Sequence, residues 1–130
     1  MNIGQVAQQS GISRKMIRYY EQIGLLDSVK RSDAGYRIYC EQDVKILSFL
    51  KHARELDFSS EQMKALLSLW KNPQRQSVEV KQLALQHIAA LKQKIDQLQQ
   101  MVDWLQHSVD HCSGDHRADC AILNHLEQGE

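Results

Sequence analysis

Cys112 and Cys120 carry the most chemistry in the chain, and they bracket seven mostly polar residues, Ser113-Gly114-Asp115-His116-Arg117-Ala118-Asp119. An ionised thiol is a soft, polarisable ligand. A thiolate pair lacking a set of imidazoles and carboxylates favours low-coordinate monovalent ions such as Cu(I), with Ag(I) and Au(I) as congeners. A structural zinc site needs four ligands, commonly in short paired spacings, and this pair supplies two. His111 and His116 lie in or beside the loop, so a divalent site that recruits them is a second option. A reversible thiol–disulfide switch is a third, and the two cysteines alone do not separate it from metal binding. Cys40 has no second thiol close in sequence and reads as a residue at a helix start or packed beside a turn.

Strong elements flank the pair. Upstream, within residues 75–110, Ile88, Leu91, Ile95, Leu98, Val102, Leu105 and Val109 recur at spacings of three and four. This is an a/d heptad seam. A helix of roughly 35 residues is about 50 Å long, and the rest of the chain holds no equally long apolar helix to cover it. Self-association as a coiled coil is therefore expected. Downstream, Ile122, Leu123 and Leu126 form the packing face of a short terminal helix. Asp119 is its expected N-cap, which puts Cys120 in the first turn, where the helix dipole favours a thiolate. Two thiolates on a monovalent ion leave a net negative group, costly to bury without compensation.

The other end of the chain has a different character. Residues 3–9 read as a short helix, with Ile3, Val6 and Ala7 on one face, broken at Ser10-Gly11-Ile12. Ser13 caps a second helix in which Met16, Ile17 and Tyr20 point inward. That leaves Arg14, Lys15, Arg18 and Tyr19 on the outer faces, the layout of a helix-turn-helix reader with a basic surface. Gly24 ends this helix. Asp33-Ala34-Gly35 is turn chemistry, and Tyr36, Ile38 and Tyr39 favour strands, so a small hairpin, or wing, is predicted there. Arg31 and Arg37 flank its turn, placed to grip phosphates. Arg54 either reaches phosphate from a second wing or pairs with Glu55 or Asp57. The expected DNA-facing set is thus Ser13, Arg14, Lys15, Arg18, Tyr19, Tyr20, Arg31, Tyr36, Arg37 and Arg54, with Tyr20 fitting the core equally well. Two more helices follow, one from about residue 41 to 56 with Val44, Leu47, Leu50 and Ala53 inward. The other starts at Ser59, carries Met63, Leu66, Leu67, Leu69 and Trp70, and is ended by Asn72-Pro73.

Composition narrows the classes further. The 130 residues are 42% hydrophobic and 25% charged, ordinary for a soluble protein, with zero formal net charge. Residues 1–37 nonetheless hold six basic side chains against three acidic ones, which points the anionic partner at that end. No apolar run approaches a membrane span, and the first residues lack a signal sequence, so a cytoplasmic location is expected. Three cysteines in such a compartment argue against a disulfide framework. No nucleophile–base–orienter set and no phosphate-cradling glycine loop is apparent, so an enzyme is not expected.

Several of these residues together resemble a known family. Ile3-Gly4, Ala7, Gly11, Ile17-Arg18-Tyr19-Tyr20-Glu21, Gly24-Leu25-Leu26, Arg31, Gly35-Tyr36-Arg37 and Tyr39 look like the N-terminal signature of MerR-type regulators. Cys112 and Cys120 look like the metal loop of the CueR-like, copper-responsive branch. The resemblance runs from Met1 to about Leu126. It implies a mainly α fold: a winged helix-turn-helix domain over residues 1–70, a dimerisation helix over 75–110 in an antiparallel coiled coil, and a metal loop with a short helix over 111–130. It also implies a homodimer on double-stranded promoter DNA whose −35 and −10 elements are too far apart for RNA polymerase. The metal-loaded form would distort that DNA, realign the elements and activate metal efflux or detoxification genes.

The same resemblance assigns two further residues. Lys81 matches a position near the partner subunit's loop and would supply compensating positive charge. At position 77, divalent-sensing relatives carry a cysteine that acts as a third ligand, whereas here Ser77 stands. The expectation is one Cu(I) per cysteine loop, with Ag(I) or Au(I) as alternatives. Ser113 departs from the proline that often follows the first cysteine of this loop, and the chain ends without a Cys/His-rich tail. Competing expectations are a divalent or thiol-redox sensor of the same fold and, in a different class, a metal buffer or chaperone. His52, His87, His107 and His125 read as helix-surface residues.

Overall fold

In the computed structural model, residues 1–27, 30–112, 114, 118 and 120–129 are described. The fold is mainly helical. α1 (Ile3–Ser10) and α2 (Arg14–Gln22) are followed by two short strands, β1 (Lys30–Arg31) and β2 (Arg37–Ile38). Then come α3 (Glu41–Glu55), α4 (Ser60–Lys71), α5 (Ser77–Asp110) and α6 (Ala121–Gln128). Among the described residues no helix is long and apolar enough to cross a membrane.

Local chemistry sets most of these boundaries. Asn2 and Gln5 form a reciprocal capping box at the start of α1, each side chain 2.9 Å from the other's backbone N–H. Gly11, at φ 73°, ends that helix in the left-handed region. Ser13 accepts from the Met16 N–H at 3.2 Å and opens α2. At the far end of α2 the Leu25 N–H reaches the Tyr20 carbonyl (2.9 Å) and the Gly24 N–H reaches that of Glu21 (3.2 Å). This is a Schellman closure around Gly24 at φ 81°. α3 ends the same way, with Phe58 N–H on the Ala53 carbonyl and Asp57 N–H on that of Arg54. There the left-handed residue is Asp57, at φ 66°, the one non-glycine with positive φ among the described residues. Ser59 and Gln62 make a second capping box at α4.

The wing is an antiparallel pair in which Lys30 faces Ile38 and Arg31 faces Arg37. Its turn is closed by the Gly35 N–H on the Ser32 carbonyl (2.8 Å), with Gly35 at φ 85°. The Tyr39 N–H then donates to the Met1 carbonyl at 2.7 Å, tying the end of the wing to the start of α1.

The chain divides into two compact units, Met1–Ala84 and Leu85–Glu130, with the division inside α5. The first unit owns the buried core: Val6, Ile12, Ile17, Tyr20, Leu25, Leu26, Tyr39, Ile46, Leu47, Leu50, Ala53, Met63 and Leu67. Each large apolar side chain in it contributes about 1.5–3 kcal/mol relative to exposure. Ile46 belongs to this core in addition to the expected inward face of α3, and Val44 packs at its edge. Phe49 and Trp70 stack nearly parallel, 4.7 Å between ring centres, linking α3 to α4. In the second unit the heptad positions Ile95, Leu98 and Val102 are all more than half exposed.

Candidate DNA interface and thiol pair

The basic surface is built by the phase of α2. Ile17 and Tyr20 are buried in the core, and that commitment turns Arg14, Lys15, Arg18 and Tyr19 to solvent. Ser13, which caps the helix, is exposed beside them. Tyr20, expected either on the DNA side or in the core, is buried. At 1% exposure its ring is a core residue, because it lies one turn after Ile17 on the same face.

The wing completes this surface. Asn2, Ile3, Arg18, Arg31, Gly35, Tyr36 and Arg37 line a cleft of about 260 Å³. Three guanidinium groups from α2 and both strands thus share one concavity, which suits a phosphodiester. Tyr36 is largely open to solvent, at 75% exposure. Both wing arginines also have partners inside the protein. Arg31 Nη1 donates to the Gly35 carbonyl at 3.0 Å and braces the turn. Arg37 Nε lies 3.4 Å from Glu21 Oε2. Glu21 accepts the Tyr39 hydroxyl through its other oxygen, so one carboxylate joins α2 to the wing strand. Spacing in the sequence gave no sign of this pairing, since Glu21 stood in the motif without a contact role.

Arg54 is exposed near the end of α3 and lines two clefts. One, of about 420 Å³, also includes Gly11, Ser13 and Lys51; the other, of about 370 Å³, includes Tyr19, Asp57 and Ser59. It therefore stands on the same side as the start of α2.

The thiol pair lies in the second unit. α5 ends at Asp110 and the Cys112 N–H closes onto the Val109 carbonyl at 3.0 Å. Cys120 is the N-cap of α6, its carbonyl accepting from the Asn124 N–H at 3.0 Å. The helix therefore starts one residue later than expected; Asp119, the expected cap, lies outside the described residues. The Cys112 and Cys120 sulfurs are 3.6 Å apart, both residues half-buried. Two soft sulfurs this close fit the donor set of a single low-coordinate soft ion. Among the described residues, no group of three or more His, Cys, Asp or Glu is placed to hold one ion. His111 points Nδ1 at the His107 carbonyl, 2.7 Å away; His116 lies outside the described residues. Cys40 is exposed at the N-cap of α3, its thiol 3.4 Å from Asp43.

Ser77 is the first residue of α5 and Lys81 follows one turn later, both exposed. With Pro73, Arg75 and Val80 they line an open cleft of about 590 Å³ carrying two positive side chains. Sequence reasoning missed one cluster. His107 and His125, taken as surface residues, group with His111, weighed only as a loop ligand, around Trp104 and Ser108, with the His107 and His111 rings 4.2 Å apart and the His107 and His125 rings 5.8 Å apart. The i, i+4 spacing of His107 and His111 was the available signal. Of the α6 residues expected to pack, Ile122 is half-buried, while Leu123 and Leu126 are 63% and 59% exposed; His125 meets Ser108 and Trp104 of α5.

Residues 2–39 match the family described as MerR family regulatory protein, and residues 44–108 match MerR, DNA binding. The chain is 49% identical over 129 residues to heavy metal-dependent transcription regulator 2 of Rhizobium meliloti, covering 99% of this chain and 88% of that protein. It is 40% identical over 126 residues to the HTH-type transcriptional regulator CueR of Escherichia coli, covering 97% and 93%. Among solved structures it is similar to the transcription regulator PbrR691 of Ralstonia metallidurans, a lead(II) complex, with a TM-score of 0.83, 29% identity and coverage of 97% and 98%.

Proposed function

The chain belongs to the MerR family of DNA-binding transcriptional regulators, and from that premise we propose that it is a metal-responsive regulator sensing Cu(I) through Cys112 and Cys120. Ag(I) and Au(I) are the expected cross-reacting ions. The reading places it in the cytoplasm as a homodimer on promoter DNA, with Ser13, Arg14, Lys15, Arg18, Tyr19, Arg31, Tyr36, Arg37 and Arg54 on the DNA side. Tyr20 supports that surface from the core. Arginines in the cleft between α2 and the wing hold phosphates and set register, while the outer face of α2 meets base edges.

The observation that carries the metal reading is the 3.6 Å approach of two half-buried sulfurs. Their kinship supports it too, since relatives at 49% and 40% identity bear the names of a heavy metal-dependent regulator and of CueR. A soft monovalent ion bound there would take both sulfurs as thiolates and release their protons. Lys81 would offset the resulting negative charge, and Ser77 offers an oxygen where a sulfur would add a third ligand. In this reading the loaded protein distorts the promoter, RNA polymerase engages it, and genes for metal efflux or detoxification are switched on.

X-ray absorption on the copper-loaded protein tests the site. Two sulfur neighbours per copper are expected; four mixed nitrogen and sulfur neighbours would overturn the assignment. Cys112→Ser and Cys120→Ser should abolish copper-dependent transcription in vitro while apo promoter binding persists. The same close sulfurs favour one second reading, a thiol-redox switch. It gains support only if glutathione disulfide, without metal, reproduces the transcriptional response.

A further inference from the structure

Ser108, in the last turn of α5, has none of its surface exposed. Its hydroxyl lies 3.1 Å from the Trp104 carbonyl and 2.6 Å from Nδ1 of His125 on α6. A carbonyl only accepts, and a hydroxyl has one proton, so satisfying both contacts fixes the direction of each. Ser108 donates to Trp104, and His125 Nδ1–H donates to Ser108. The His125 ring also meets Trp104 edge-on, 6.1 Å between centres at 68°, and stacks on His107.

α6 has eight residues, too few to hold a helix alone in water. Of its apolar residues Ile122 is half-buried, while Leu123 and Leu126 are mostly exposed and do not anchor it within this unit. Cys120 is the N-cap of that helix, five residues before His125. Wherever α6 is held, the Cys120 sulfur is held with it. We propose that Ser108 and His125 form a polar latch that docks α6 on α5 and thereby positions the Cys120 thiol beside Cys112. Both are positioning residues: neither touches the effector in this account, and each acts through the placement of a sulfur. The biological meaning of the latch rests on the thiol pair being the sensor, but the latch itself does not.

The test uses the full-length, metal-free protein in a glutathione redox buffer. In that equilibrium two protein thiols become one disulfide while glutathione disulfide is reduced to two glutathione thiols, so its constant reports the effective concentration of one sulfur at the other. Ser108→Ala and His125→Leu should each lower that constant about tenfold, the size expected for losing a buried hydrogen bond and stranding its partner. His125→Asn places an amide N–H near the Nδ1 position and should recover the constant to within about twofold. His125→Gln places it near the Nε2 position and should not. Competition for Cu(I) against a chelator should show the same order among the variants. Unchanged constants in Ser108→Ala and His125→Leu would refute the latch, as would rescue by Gln equal to rescue by Asn. The Asn and Gln pair decides the matter even if the leucine variant folds poorly. If instead the redox constants behave as stated while copper fails to switch transcription through the thiols, the latch stands and the sensor reading falls.

Discussion

Glu21 does two jobs with one carboxylate: one oxygen accepts the Tyr39 hydroxyl and the other lies 3.4 Å from Arg37 Nε. Side chains from α2, β2 and the residue after it are thereby held in one group at the edge of the cleft between α2 and the wing. The Tyr39 phenol is pushed up to about 12, first by burial, then by its hydrogen bond to Glu21 and by that residue's charge; Arg37 acts in the opposite direction. The folded protein therefore favours the neutral phenol. The stabilisation is whole below the ordinary tyrosine value near 10 and is lost as pH rises toward 12. Tyr39→Phe is expected to cost about 1 kcal/mol at neutral pH through the lost hydrogen bond. Its stability should also fall less than that of the unmodified protein between pH 10 and 12, as read from urea midpoints. Parallel losses over that window would show that Tyr39 does not carry the alkaline sensitivity. Residue types alone singled out Arg31, Arg37 and the outer face of α2 as candidates. Glu21's role was not legible, because pairing across sixteen positions exists only once the wing closes on α2.

Helix ends were the most legible elements, since caps are local chemistry. Ser13, Ser59, Gly24 and Pro73 mark real boundaries in α2 and α4. Gly24 makes a direct test. A Cβ there would meet only the flexible Lys64 Nζ, 3.8 Å away, so any cost is conformational. Gly24→Ala should destabilise the protein by about 1 kcal/mol, the penalty of an L-residue in the left-handed region, without changing the denaturant slope. A neutral result would mean that the turn relaxes out of the Schellman geometry. The end of α3 shows why such rules are not complete, since Asp57 fills the left-handed position where glycine is usual. The start of α6 shows another limit. Its apolar residues signalled a packing helix, but Leu123 and Leu126 stay exposed, and a hydrogen bond to α5 runs through a histidine and a buried serine, which hydrophobic periodicity does not register.

At the scale of the molecule, the apolar seam of α5 is the feature most in need of a partner. Ile88, Ile95, Leu98, Val102, Leu105 and Val109 are each between 45% and 62% exposed, on a helix of 34 residues. A second copy of the chain, laid against this stripe, would bury them at about 25 cal/mol per Å². Leu98→Lys places a charge mid-seam and should convert a dimer to a monomer in sedimentation experiments. Promoter affinity should drop with it, because two half-sites can no longer be held at once. A variant that stays dimeric with unchanged promoter affinity would place the interface elsewhere.

The sequence by itself determined the helix order, the wing, the caps, the basic phase of α2, the heptad seam and the identity of the two thiols, because each is a matter of neighbours within one turn or one hairpin. Tertiary structure decided the rest. It buried Tyr20, committed Arg37 to an internal partner on α2, and brought Cys112 and Cys120 to 3.6 Å. It also drew His125 out of the surface and onto Ser108. Such contacts join residues from different elements, and their geometry depends on how the elements close on each other rather than on the pattern within either one.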